Sequence, residues 1–161
     1  MQQANIRWIS RTALLLAIAL VFQMGGFPQL VTGPLVNTVL YVAAMIVGWQ
    51  GGILIGIFTP VIASLRGILP PPLTPLIPFI ALGNALLVFL FFRLKNKNRI
   101  IGIIVASMVK YLLLANAVKF LVQVPPPIAN MMSFPQLVNA LIGGIIALLV
   151  MQVLKKANIE I

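Results

Sequence analysis

The chain has 161 residues, of which 61% are hydrophobic and 7% are charged, far below the roughly 25% charged residues of a soluble domain. This composition excludes a soluble fold, and the length allows at most about six membrane-spanning helices of about 20 residues each. The formal charge of +10 comes from eleven Lys and Arg residues against one acid, Glu160, and there is no Cys or His. Disulfides, thiol chemistry and zinc sites are thereby excluded, and no cofactor or metal is predicted.

Charge clusters, prolines and glycines divide the chain into six apolar segments, which predict an all-α integral membrane protein with a single transmembrane domain over residues 1–161. The first segment is placed like a signal peptide, but it is long, and Phe22-Gln23-Met24 offers no small-residue cleavage pattern. We therefore expect it to be retained as a helix. The predicted helices are approximately 6–25, 34–49, 51–69, 76–94, 100–123 and 135–154.

Most of the positive charge lies on one side of these predicted helices. Eight of the eleven cations fall at the N-terminus, between predicted helices four and five, or after helix six. The positive-inside rule places all three clusters in the cytoplasm, which requires an even number of spans and puts both termini there. The eight residues are Arg7, Arg11, Arg93, Lys95, Lys97, Arg99, Lys155 and Lys156.

The connections on the opposite side are uncharged, rich in proline and unusually apolar, and they cover residues 25–33, 69–75 and 124–133. Loops that contact only solvent are normally polar, so these segments are predicted to fold back as lids over the outer face. The alternative is that they lie in the membrane interface.

Amide and cationic side chains define a candidate substrate site in the outer half of the bundle. Asn116 and Lys119 are three residues apart on one helix face, so their polar groups can point into the same cavity. Each asparagine can instead hold helices together, and the cations can extend outward to the membrane surface. The predicted substrate-binding residues, which come from five of the predicted helices, are Asn37, Arg66, Asn84, Asn116, Lys119 and Asn139.

A further cation, Lys110, lies near the middle of predicted helix five. It is about 180° around that helix from Lys119 and is not expected to share the cavity face. We consider three alternatives for what its side chain contacts, which are a second groove, backbone carbonyls and a partner protein.

Small residues and one proline predict close helix contacts. Helix one has alanines four residues apart at Ala13 and Ala17, and helix three has glycines at the same spacing at Gly52 and Gly56. Small residues at this spacing let helices approach closely, mostly within a bundle. Pro60 is predicted to kink helix three and to free a backbone carbonyl at the depth of the site.

The charge of this candidate site favours a neutral or anionic ligand, and a small molecule with a carboxylate fits best, because no membrane carboxylate would balance a bound cation. A small anion channel or permease that uses Arg66, Lys110 and Lys119 in steps is one alternative. A structural or assembly subunit of a membrane complex is another. An enzyme is not predicted, because no paired carboxylate, His or Cys is available as acid, base or nucleophile.

The chain resembles an S component, the substrate-binding membrane subunit of an energy-coupling factor (ECF) transporter. The resemblance covers nearly the whole chain and rests on six helices with both ends inside and on lid-like outer loops. It also rests on three short stretches, which are RTALLLA at residues 11–17, GPLVN at residues 33–37 and TPVIA at residues 59–63.

This resemblance implies a vitamin or related micronutrient bound near the outer face, under the loops after helices one, three and five. It implies that Ala13 and Ala17 dock on the transmembrane T component, and that two cytoplasmic ATPases power transport while the S component tips over in the membrane. The chain has no P-loop of its own, so ATP hydrolysis would belong to those partners. Nucleic acid is not an expected partner, and the expected location is the plasma membrane of a prokaryote.

Comparison with subfamilies narrows the expected substrate. The lack of His argues against nickel or cobalt. Neither the carboxylate and aromatic pattern of thiamine sites nor the glycine-rich pattern of biotin-binding members is evident. A pantothenate-like, nicotinate-like or lipoate-like acid and a neutral heterocycle are the candidates that are left.

Overall fold

The structure is a computed structural model that describes residues 2–69 and 71–158. The described residues form helices and connecting segments, with no strand among them. Six helical segments are long and apolar enough to cross a membrane, which confirms the predicted all-α membrane fold. The elements are α1 (Gln2–Met24), α2 (Gln29–Ile46), α3 (Gly48–Leu65), a 3-10 helix (Pro71–Leu76), α4 (Ile77–Leu94), α5 (Arg99–Asn116), a π-helical turn (Ala117–Leu121), α6 (Pro126–Met131) and α7 (Phe134–Lys156).

Most helix boundaries differ from the predicted ones by a few residues, and two of these differences are informative. The prediction starts the second helix at Pro34, but this proline lies inside α2, which begins at Gln29. Proline removes one backbone hydrogen bond, and neighbouring groups in a membrane protein can satisfy the freed carbonyl, so the helix need not stop there. The fifth predicted helix is also irregular, because α5 ends at Asn116 and continues as the π-helical turn to Leu121.

Helix α2 is the centre of the bundle. Of its membrane-spanning window, 61% is buried, against 6% for α1. It packs against α1, α3, α4 and α7, and its buried residues Leu40, Tyr41 and Ala43 belong to the main apolar core. Helix α1 is the most peripheral spanning helix, so most of its surface is left to lipid or to a partner.

The two ends of the bundle differ in chemistry. The basic end carries the start of α1, the turn between α2 and α3, the loop 95–98 and the end of α7. The loop end consists of residues 25–28, 66–69, 71–76 and 117–133. Short connections make consecutive spanning helices antiparallel, so the three cationic clusters share the basic end.

Two long side chains hold the basic end together. Trp8 Nε1 donates a hydrogen bond to the Val47 carbonyl at 2.8 Å, and Lys95 Nζ donates one to the Ala44 carbonyl at 3.0 Å. Both carbonyls lie at the C-terminal end of α2, where backbone acceptors lack helical partners. Burial, and to a lesser extent the charge of Arg99, lower the pKa of Lys95 from its usual value.

The paired glycines of α3, Gly52 and Gly56, allow close packing inside the bundle. A Cβ atom added to Gly52 would lie 2.6 Å from Val88 Cγ1, and one added to Gly56 would lie 2.9 Å from Asn84 Cβ. Helices α3 and α4 can therefore approach as closely as they do only because both positions lack a side chain. Glycine plays the same part in α7, where a Cβ on Gly143 would lie 2.7 Å from Asn37 Cβ.

We predict that Gly56→Ala destabilises the protein, because the added methyl group forces α3 and α4 apart. The expected cost is about 1–3 kcal/mol for overpacking, of which the better helix propensity of alanine recovers no more than about 1 kcal/mol. The melting temperature of the purified protein in detergent measures this effect. Ile57→Ala, at the neighbouring exposed position, is the control, and equal melting of Gly56→Ala and the wild type would contradict the close contact.

Candidate functional site

A cavity of about 70 Å³ lies in the half of the bundle nearest the loop end. Its floor is formed by Lys110, Asn37 and Asn84, which project from α5, α2 and α4. Its walls include hydroxyl and amide side chains, and apolar residues cover it from the loop end. The cavity is therefore polar at its base, and its loop-end part carries both apolar residues and the amide side chains of Gln23, Gln29 and Gln136.

Lys110 is the central group of the floor. Its side chain is buried, with 4% of its surface exposed, and its Nζ donates hydrogen bonds to Asn37 Oδ1 at 2.7 Å and to Asn84 Oδ1 at 2.8 Å. An ammonium group can only donate, so both amides must present their oxygen atoms to it. These two bonds join α5 to α2 and to α4.

Backbone carbonyls hold both amides in that orientation. Asn37 Nδ2 donates to the Gly33 carbonyl at 2.8 Å, and Asn84 Nδ2 donates to the Gly56 carbonyl at 3.0 Å. The Gly56 carbonyl is available because the residue four positions later is Pro60, which has no N–H to complete the helical bond. This carbonyl is the one that the sequence predicted Pro60 to free.

The stem of Lys110 crosses α4 at a glycine. A Cβ atom added to Gly83 would lie 3.3 Å from Lys110 Cγ, which is a tighter contact than side chains normally make. Gly83 and Asn84 are adjacent in α4, so one residue leaves space for the lysine stem and the next binds its ammonium group. The Gly83-Asn84 pair of α4 therefore both accommodates and binds the Lys110 side chain of α5.

The walls carry oxygen atoms that can accept hydrogen bonds. The hydroxyl of Thr32 donates to the Phe27 carbonyl and that of Thr59 to the Ile55 carbonyl, which leaves lone pairs on both hydroxyl oxygens. Gln23 Oε1 is buried without a hydrogen-bond partner among the described residues. Gln136 directs its Nε2 to the Met131 carbonyl at 3.3 Å and to the Met132 sulfur at 3.9 Å, so its Oε1 is left as an acceptor.

The roof of the cavity consists of Leu69 and Leu73, which follow α3, and Met132, which follows α6. Leu73 and Met132 belong to a second apolar cluster that is separate from the main core and also includes Leu76 and Ala117. The segments after the third and fifth spanning helices therefore line the cavity at the loop end, where the sequence predicted lids. Of the first predicted lid, residues 25–33, the loop 25–28 contributes none of the described lining residues, whereas Gln29, Thr32 and Gly33 line the cavity from the start of α2.

The structure brings together only part of the predicted constellation. Asn37 and Asn84 lie on the cavity floor. Asn139 is buried on α7, where its Nδ2 lies against Gly33 and has no hydrogen-bond partner among the described residues. It is not among the residues that line the cavity.

The other three predicted residues are exposed. Arg66 lies at the C-terminal cap of α3. Asn116 Nδ2 donates to the Leu112 carbonyl of its own helix at 2.7 Å, and Lys119 Nζ lies 5.0 Å from the centre of the Phe120 ring. None of the three lines the cavity, so their role in substrate binding stays a prediction.

The expectation that Lys110 lies away from the cavity is wrong. Lys110 and Lys119 do face different ways, but the cavity is on the side of Lys110. Depth in the membrane was the signal that could have found it, because a cation near a helix end can reach the membrane surface whereas one at mid-span must be enclosed. The shared helix face of Asn116 and Lys119 instead favoured the side of Lys119.

A family model for the substrate-specific component of ECF transporters matches residues 7–154. The chain belongs to this family. It is therefore a substrate-binding transport subunit, and the family implies a small-molecule substrate together with T-component and ATPase partners. S components determine the specificity of transport and are not enzymes. The comparisons with curated proteins and with solved structures gave no match.

We predict strong coupling between Lys110 and Asn84 of this S component. Asn84→Leu removes one of two acceptors from a buried ammonium group and should lower the melting temperature, because a buried charge that loses a partner is destabilising. Lys110→Met in the same chain should recover much of this loss, because the cation that needs the acceptor is gone.

A double-mutant cycle on the melting of the purified proteins measures this coupling. The expected interaction free energy is about 0.5–3 kcal/mol, the range found for residues that share one hydrogen-bond network. Strictly additive effects of the two substitutions would show that the contact does not contribute to stability.

Proposed function

We propose that this S component captures a vitamin or related micronutrient, neutral or anionic, in the cavity at the loop end. It delivers the substrate inward after it docks on a T component that is powered by two ATPase subunits. The observation that carries the proposal is the polar floor around Lys110, enclosed at the loop-end half of a protein of the ECF substrate-specific family. Eight of eleven cations lie at the basic end or next to it, which supports a cytoplasmic basic end and an outward-facing cavity in a prokaryotic plasma membrane.

The packing below the cavity favours capture over conduction. The main apolar core between Lys110 and the basic end includes Leu40, Leu87, Val88 and Phe91, and each of these side chains has 0% of its surface exposed. Such a close-packed layer leaves no aqueous path through the bundle. The alternative of a stepwise anion channel also needs Arg66 and Lys119 in line with Lys110, and both are exposed outside the cavity.

The cavity volume indicates that loading involves the roof. Ligand pockets usually measure about 300–1,000 Å³, whereas this cavity measures about 70 Å³. A vitamin-sized molecule fits only if Leu69, Leu73 and Met132 move outward. Leu73 and Met132 belong to the second apolar cluster, and Leu69 packs against it, so displacing these residues leaves the main core intact.

Helix α1 is the proposed docking surface for the T component. Its spanning window is 6% buried, and Ala13 and Ala17 are both exposed on it. Two small residues one turn apart allow another helix to approach the α1 backbone closely. The docking surface and the cavity thus use different parts of the molecule.

We predict that Ala13→Trp with Ala17→Trp abolishes uptake but leaves substrate binding by the isolated S component unchanged. The two indole groups would hold a partner helix away from α1, while the cavity residues are not touched. Uptake by cells that carry the T component and ATPases, compared with binding by the purified protein, measures the difference. Leu14→Trp, at an exposed position next to Ala13, is the matched control, and normal uptake by the double variant would rule out this surface.

A thermal-shift screen of the purified protein tests the capture function itself. The panel consists of water-soluble vitamins and related acids, and the substrate should raise the free energy of unfolding by about 2.7 kcal/mol at a concentration of 100 Kd. The shift should grow with ligand concentration. A panel without any stabilising compound would count against vitamin capture and in favour of an assembly subunit.

A further inference from the structure

Lys110 has no counter-charge in the described part of the chain. The sequence holds one acidic residue, Glu160, and it lies outside the described residues. Asn37 and Asn84 offer oxygen dipoles to the ammonium group but no net negative charge. A charge at this depth is costly, and an anionic ligand would offset more of that cost than the two amide dipoles do alone. An ammonium group has three N–H donors, so one donor has no acceptor among the described residues and is free for a ligand.

The walls offer mainly hydrogen-bond acceptors. The hydroxyls of Thr32 and Thr59 donate to backbone carbonyls, so toward a ligand they act as acceptors. Gln23 offers an unpartnered Oε1, and Gln136 uses its Nε2 within the protein and keeps its Oε1. A ligand therefore meets one cationic donor at the floor and several acceptors around it, while the amide N–H groups of Gln23 and Gln29, which also line the cavity, are further donors near the loop end.

The shape of a ligand is constrained by the apolar part of the lining. Among the described residues that line the cavity none is aromatic, and the apolar ones are aliphatic residues, proline and methionine. Flat rings are usually held by stacking on aromatic side chains. This lining suits a flexible aliphatic body.

We infer that the substrate is a small aliphatic monocarboxylate that also carries hydroxyl or amide N–H groups. Its carboxylate binds the free N–H of Lys110, and its hydroxyl or amide groups donate to the threonine and glutamine oxygens of the walls. An acid with a purely apolar body would leave those oxygens unpaired, and buried polar groups without partners weaken binding strongly. This inference names the substrate class of the proposed capture function and rests on it.

Four probes separate the features of this class. Pantothenate has a carboxylate, an amide N–H and two hydroxyls on an aliphatic chain, and pantothenol replaces only its carboxylate by an alcohol. Nicotinate is an aromatic acid, and lipoate is an aliphatic acid without donors in its body. The purified wild type should bind pantothenate about 10- to 100-fold more tightly than each of the other three, as measured by equilibrium binding in detergent.

Two variants test the role of Lys110 directly. In Lys110→Met the affinity ratio of pantothenate to pantothenol should fall to about one, because the group that distinguishes them is gone. A merely structural defect would weaken the binding of both probes and leave the ratio of their affinities unchanged. Asn84→Asp places a carboxylate beside Lys110 and should weaken pantothenate binding about 10- to 100-fold by competing for the ammonium group. Asn98→Asp is the control, because Asn98 caps α5 at the basic end and aspartate caps equally well.

Each contrary outcome has a distinct meaning. Equal affinity of the wild type for pantothenate and pantothenol would overturn the anion anchor without requiring any variant to fold. Preference for nicotinate or lipoate would overturn the proposed ligand body. If none of the four probes binds but another vitamin of the broader panel does, this inference is wrong while the capture function stands. If nothing in either panel binds, both fail together.

Discussion

The contact between the Lys110 ammonium group and two amide oxygens is the constraint on which the rest of the site depends. A cation inside a membrane-spanning bundle must be enclosed by oxygen atoms, and here those oxygens come from α2 and α4 while the cation comes from α5. Each amide is then oriented by a backbone carbonyl, and one of these carbonyls is free because Pro60 cannot donate to it. Four helices are thereby held at fixed rotations around one charged group.

Glycine residues make this arrangement sterically feasible. Gly56 lets α4 approach α3 closely enough for Asn84 to reach a backbone carbonyl, and Gly83 leaves room for the stem of Lys110. In a membrane the hydrophobic effect does not drive helices together, so close backbone contact and internal hydrogen bonds supply much of the free energy of helix association. The same residues thus serve both the packing of the bundle and the geometry of the cavity floor.

The floor and the roof of the cavity belong to different apolar clusters. The floor rests on a close-packed apolar core, whereas the roof belongs to a second, smaller cluster formed by the segments after α3 and α5. Helix α1 packs on the main core through Ala19 but exposes most of its surface. A transport subunit needs these three properties, since it must hold a substrate, admit it from one side and contact partners without disturbing the binding site.

The sequence by itself determined the membrane class, the six spans, the clustering of cations and the resemblance to S components, because these depend on composition and on order along the chain. It also predicted the carbonyl that Pro60 frees, which is a local covalent consequence. Only the tertiary structure decided that Lys110 joins Asn37 and Asn84 while Arg66, Asn116 and Lys119 face outward. Membrane helices are apolar on nearly every side, so hydrophobic periodicity does not reveal which face turns inward, and that rotation is set by packing between helices.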